Sequence, residues 1–162
     1  RRSRLFDELR SVFANSRVLA QPEEGLTSHR IIQQYRFADG IAADFLLKNG
    51  KYHLLEIVDL SMDGLPVRKI VQEVAVSALT IEHAKLVFGS HETNPKIIYK
   101  ASAEIEKSAS IALKAAESQG IEIVNWESVE TRDRVLNSMI NLASPIPIRE
   151  SGIADQARLK LH

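Results

Sequence analysis

Residues 41–58, IAADFLLKNGKYHLLEIV, decide how this chain is read. Two runs of β-forming residues flank Asn49-Gly50, a dipeptide that favours a tight hairpin because both residues tolerate positive φ. Residues 41–47 and 51–58 are therefore predicted as antiparallel strands. Each carries one carboxylate in an apolar setting, Asp44 on the first and Glu56 on the second. A carboxylate inside a run such as LLEIV is costly to bury unless a metal, a cation or a proton accompanies it. The two acids thus mark a candidate functional centre. The ordinary alternative is a strand-end hydrogen bond or solvent for Asp44, and a cationic partner such as Arg36 or Lys69 for Glu56.

Hairpin register decides between these readings. With a two-residue loop at Asn49-Gly50, Lys48 faces Lys51 and Asp44 lies opposite Leu55, so Glu56 points to the other face. With a three-residue loop, Lys48-Asn49-Gly50, Leu47 faces Lys51 and Asp44 lies opposite Leu54. Glu56 is then diagonally adjacent on the same face. A site shared by both acids requires an odd loop or a bulge, and the sequence accepts both turns.

Outward from the hairpin, residues 30–37 (RIIQQYRF) read as a preceding strand, with Asp39-Gly40 as the turn. Residues 4–13 form an amphipathic helix, with Leu5, Phe6, Leu9, Val12 and Phe13 on one side. On the far side of the hairpin, Pro66 suits the first turn of a long helix. Its broad apolar face, from Val67 to Ile81, would allow dimer packing. Residues 96–100 are a short buried strand, 103–118 an alanine-rich helix closed by Gly120, 121–125 a strand and 128–142 a last helix. The order α-β-β-β-α-β-α-β-α predicts a mixed α/β sheet. It has an antiparallel three-strand meander, parallel crossovers late in the chain, and helices on both faces. Residues 1–143 are expected to form one domain and 144–162 a C-terminal tail or linker.

Composition narrows the class. With 162 residues, 44% hydrophobic and 26% charged, the chain has the make-up of one ordinary globular domain. It has no cysteine, which removes disulfides and thiolate metal sites. No apolar run approaches the roughly 20 residues of a membrane span, and no secretory signal is visible. These features predict a cytoplasmic protein with no membrane partner. The chain opens on Arg1, as a fragment or processed product would. The formal net charge is zero, which argues against non-specific coating of nucleic acid but leaves room for an acidic metal site with a basic rim. Arg30, Arg36, Lys48, Lys51, Arg68 and Lys69 are candidates for that rim. The five histidines lack a metal-ligand spacing, and there is no glycine-rich phosphate loop.

The element order, with acids on the second and third strands, resembles the PD-(D/E)xK nuclease superfamily, the restriction-endonuclease-like fold with its αβββαβ core. Ala43-Asp44 stands where that family has Pro-Asp, and Glu56-Ile57-Val58 stands where it has Glu-x-Lys. Glu8 lies on the first helix, where members often carry a Glu. Gln72 matches a helical Gln of one branch, although Val76 replaces the Tyr that follows it there. The resemblance implies a metal-dependent nuclease acting on nucleic acid, DNA first, in a phage, mobile-element or defence setting. It implies Mg²⁺ or Mn²⁺ held by Asp44, Glu56 and the carbonyl of Ile57, with Glu8 acting through water. Val58 removes the family's lysine, and Lys69, one turn from Gln72, is the expected substitute. Without a lysine at the acids, the resemblance implies a catalytically inactive domain that binds nucleic acid or a protein partner. An unrelated α/β module for protein interaction or homodimer formation is the third reading.

Overall fold

The computed structural model describes residues 3–148. Helix α1 (Arg4–Asn15) leads into a meander of β1 (Ile32–Ala38), β2 (Ile41–Asn49) and β3 (Lys51–Leu60). Helix α2 (Val67–Phe88), β4 (Thr93–Ala101), α3 (Ala103–Glu117), β5 (Glu122–Asn125) and α4 (Val129–Leu142) follow. The five strands lie in chain order, β1-β2-β3-β4-β5. Pairing is antiparallel from β1 to β3 and parallel from β3 to β5. The mixed sheet and the four helices follow the expected order.

Local chemistry sets the helix ends. Ser3 caps α1 by accepting from the N–H of Phe6, and the Asp59 carboxylate of β3 accepts from the N–H of Leu5. That second bond ties the first helix to the centre of the sheet. Pro66 precedes α2, and Gly89, at φ 100°, ends it. Ser102 caps α3 through the N–H of Ile105. The fourth strand is longer than residues 96–100, since β3 pairs with it from Tyr52↔Thr93 to Leu60↔Ala101. Pro95 is tolerated because it lies before β5 begins, where β4 has a strand neighbour on one side only.

Each face of the sheet has its own core. On one, α1 and α4 supply Leu5, Leu9, Phe13, Val135 and Met139 against Phe45, Leu47 and Leu55. On the other, α2 and α3 supply Ile70, Val74, Ile81, Ala109 and Leu113 against Leu46, Leu54 and Val58. The first core centres on Phe45, which stacks on Phe6 at 4.6 Å between ring centres and meets Phe13 edge-on at 5.2 Å.

Residues 144–148, assigned from sequence to the tail, lie along the body. Ser144 N–H donates to the carbonyl of His29 at 2.8 Å, and Ile146 N–H donates to that of Arg17 at 2.7 Å. The remainder of that segment, 149–162, lies outside the described residues.

Phe45 is fully buried, so Phe45→Ala removes two ring contacts and leaves a cavity. A loss of about 3–5 kcal/mol is expected in urea unfolding. An equal truncation at exposed Leu86 should change stability by less than about 0.5 kcal/mol.

Candidate functional site: a carboxyl pair at the fork of β2 and β3

The hairpin adopts neither expected register. Asn49 pairs with Lys51 and Phe45 with Leu55, and only Gly50, at φ 72°, separates the innermost pair. One more step along the strands places Asp44 directly opposite Glu56. The turn is odd, so the two acids share a face, as the joint-site reading requires.

Backbone pairing of β2 with β3 stops at Phe45↔Leu55. Beyond it the acid side chains reach across. The N–H of Asp44 donates to Glu56 Oε2 at 2.8 Å, and the N–H of Ile57 donates to Asp44 Oδ2 at 2.8 Å. Two carboxyls thus replace two ladder bonds where the strands diverge. On the other side of β2, Gln33↔Phe45 and Tyr35↔Ala43 bracket Asp44, so Gln34 lies opposite it. Gln34 is exposed and sits in the left-handed region, at φ 50°. That conformation is costly for a residue with a Cβ.

Glu56 is only 4% exposed. It belongs to the strand face of Leu54 and Val58, under α2, where Ser77 hydrogen-bonds its side chain. Burial is the main force raising its pKa well above the ordinary value. The nearby Asp44 charge raises it further, while the bonds from the Asp44 N–H and Ser77 oppose the rise. Burial likewise pushes Asp44 up to about 6 against the pull of the Ile57 N–H. Two carboxyls so placed titrate as a coupled pair, and burial shifts both towards the protonated form.

The other expected site residues lie elsewhere. Glu8 is on α1, whose apolar side packs into the opposite core, and it borders a shallow cleft with Arg4, Ser11 and Trp126. Lys69 is exposed on α2 and pairs with Glu73 at 3.1 Å. Gln72 is also exposed. Arg36 pairs with Asp39, not with Glu56. Ile57 contributes its N–H to Asp44. Val58, at the position of the family's lysine, is 1% exposed in the α2-side core. None of the groups acting on the two carboxyls is a cation.

Among the described residues, no three His, Cys, Asp or Glu side chains are grouped to hold a metal. A Mg²⁺ ion takes oxygen ligands and keeps several waters. Here each acid is bonded to a main-chain N–H, and Glu56 is sealed beneath Ser77. With those oxygens engaged and Glu56 buried, the pair leaves little room for a hydrated cation. No described helix is long and apolar enough to cross a membrane.

Two features escaped the sequence reading. Ser77 and Thr80 interrupt the buried α2 stripe of Ile70, Val74 and Ile81, and a polar residue in such a stripe is the signal that points to Ser77. The second is a cavity of about 210 Å³ beside the carboxyl ends of β4 and β5. There Tyr99 donates to Glu106 Oε1 at 2.6 Å and Asn125 Nδ2 donates to the same oxygen at 3.4 Å. Burial, then Glu106, raises the Tyr99 pKa. No local sequence pattern joins these three residues. No protein-family model, curated protein or solved structure matches the chain.

The raised acids make stability pH-dependent in a defined direction. Between the unfolded carboxylate value near 4 and the folded value of about 6 for Asp44, the native state holds more protons than the unfolded state. Stability should therefore be highest at acid pH within this range and fall as pH rises through 6, with Glu56 extending the fall upward. Glu56→Gln keeps an acceptor for the Asp44 N–H and removes a charge. Its melting temperature should exceed that of wild type by several degrees at pH 8, and the gap should close towards pH 5. Gln34→Gly should add about 0.5–1 kcal/mol at either pH by relieving the left-handed backbone.

Proposed function

We propose that this chain is a restriction-endonuclease-like domain that binds nucleic acid without cleaving it. The Asp44–Glu56 pair then serves as the clamp of the β2–β3 fork. The observation that carries the reading is Val58. At the position where the resembled family places its lysine stands a buried valine, and among the described residues no cation is a cause of either acid's shift. Phosphodiester cleavage would lack the positive group that stabilises developing charge.

The five strands in chain order, with both acids at one fork, support the family reading. Nucleic acid, DNA first, is the partner that the resemblance implies, as is a phage, mobile-element or defence setting. The zero net charge calls for local contacts to phosphates rather than a charged blanket. Lys51 is exposed at the hairpin tip, and Lys48 lies over the Tyr52 ring, 5.7 Å from its centre. The basic rim is smaller than the six residues named from sequence. Arg30 is held by Glu24 and by the carbonyls of Ser144 and Pro145.

A metal-dependent nuclease is the second reading, favoured by the direct opposition of the two acids. In that reading Asp44 and Glu56 would hold Mg²⁺ or Mn²⁺, which would polarise the phosphoryl oxygen and acidify a bound water.

Cleavage assays on duplex DNA, single-stranded DNA and RNA, with Mg²⁺ or Mn²⁺, separate the two. Wild type should give no cleavage above Asp44→Asn, yet it should retard nucleic acid in a gel, with affinity falling steeply as salt rises. Joint replacement of Lys48 and Lys51 by Glu should weaken that retardation by about tenfold or more. Cleavage by wild type that Asp44→Asn abolishes would establish the nuclease reading instead.

A further inference from the structure

Helix α2 has two apolar faces, and the sheet uses one of them. Ile70, Val74, Ile81 and Ala84 are buried. On the opposite side Val76, Leu79 and Leu86 remain 57%, 60% and 84% exposed, with Val71 at 44%. A solvated helix face normally carries charged residues.

We infer that this face packs against the same face of a second copy, with the two α2 helices antiparallel about a twofold axis. The evidence is self-complementarity along the seam. Arg68, Gln72, Ala75, Leu79, Glu82 and Leu86 follow one another at alternating steps of four and three, the spacing of a helix-packing seam. An antiparallel copy centred near Ser77 sets Leu79 against Ala75, Gln72 against Glu82, and Arg68 against Leu86. The large side chain meets the small one. The amide can donate to the carboxylate. The arginine stem lies over the leucine.

Charge points the same way. Arg68 and Lys69 occupy the first turn of α2, which contains no acid. Cations at a helix N-terminus oppose the helix dipole. An antiparallel neighbour brings the negative end of its own helix beside them. The basic residue of the last turn, Lys85, does not spoil this match. Its ammonium bonds the carbonyl of Gln119 at 2.9 Å and pairs with Glu82 Oε1 of its own helix at 3.1 Å, which leaves Glu82 Oε2 for the amide of Gln72.

The helix has 22 residues and is about 33 Å long. One such seam falls short of the roughly 800 Å² per partner of a standard interface. The dimer is therefore a weak one, populated at high local concentration. A twofold dimer would present two copies of the β2–β3 hairpin to one ligand, but the inference does not depend on that ligand.

Sedimentation velocity of the full chain, from low micromolar to submillimolar concentration, tests the dimer without nucleic acid. Wild type should shift from monomer to dimer over this range. Leu79→Glu should weaken the dimer by tenfold or more, with an unchanged circular dichroism spectrum, because Leu79 is exposed in the monomer. The native chain has no cysteine, so engineered thiols report geometry cleanly. A mixture of Ala75→Cys and Leu79→Cys chains should oxidise to the mixed dimer, and Leu79→Cys alone should not cross-link, because a disulfide needs Cα atoms within roughly 7 Å. A wild type that stays monomeric throughout overturns the inference, whatever else covers α2. So does a dimer that survives Leu79→Glu, or one in which Leu79→Cys cross-links to itself.

Discussion

Two hydrogen bonds, from the Asp44 N–H to Glu56 and from the Ile57 N–H to Asp44, hold the hairpin where its ladder ends. In an antiparallel pair each strand's N–H groups need acceptors. Here β2 turns towards β1 and β3 continues beside β4, so the two strands cannot stay in register beyond Phe45 and Leu55. Side-chain oxygens meet the N–H groups that the separation leaves behind. Apolar residues at 44 and 56 would pack under α2 but would leave those donors without partners in a buried place, at a cost of about 1–3 kcal/mol each. The acids thus have a structural reason to be present that requires neither metal nor substrate.

That clamp connects the two layers. Glu56 reaches Ser77 of α2 on one face. Three residues along β3, Asp59 accepts from the first turn of α1 on the other. The central strand therefore anchors both helical layers through carboxylates, while Leu54, Leu55 and Val58 fill the two cores between those anchors. Exposed Gln34 is the strained counterpart on β1. Its left-handed backbone lies level with the fork, and the aromatic pair Tyr35 and Phe37 follows it into the α2-side core.

Periodicity made most of the fold legible in the sequence. Each helix carries an apolar stripe, and the strands of the meander are separated by the turn signals Asp39-Gly40 and Asn49-Gly50. The α-β-β-β-α-β-α-β-α order needed nothing further. Strand ends were harder to see. Pro95 argues against a strand when read alone, and only the position of β5 makes it harmless. The site was half legible. Asp44 and Glu56 stood out because acids are rare in such runs, but their meeting depended on a turn whose residues suit several geometries. Lys69 and Glu8 were chosen by their place in the chain order. Nothing in chain order says which face of the sheet a helix covers, or that Lys69 has Glu73 one turn away.

Burial of the pair also bears on how the fork behaves. With one of the two acids protonated, one negative charge stays beneath α2. Its neighbours are main-chain N–H groups and the Ser77 hydroxyl, which solvate it in place of water. Losing the proton would put two charges together in a medium of low polarity, where their repulsion is far stronger than in water. The weakest response available to the protein is to part β2 from β3 at the point where no backbone bonds join them. Raised pH therefore loads charge onto this fork, and Ser77 is the contact through which α2 meets it.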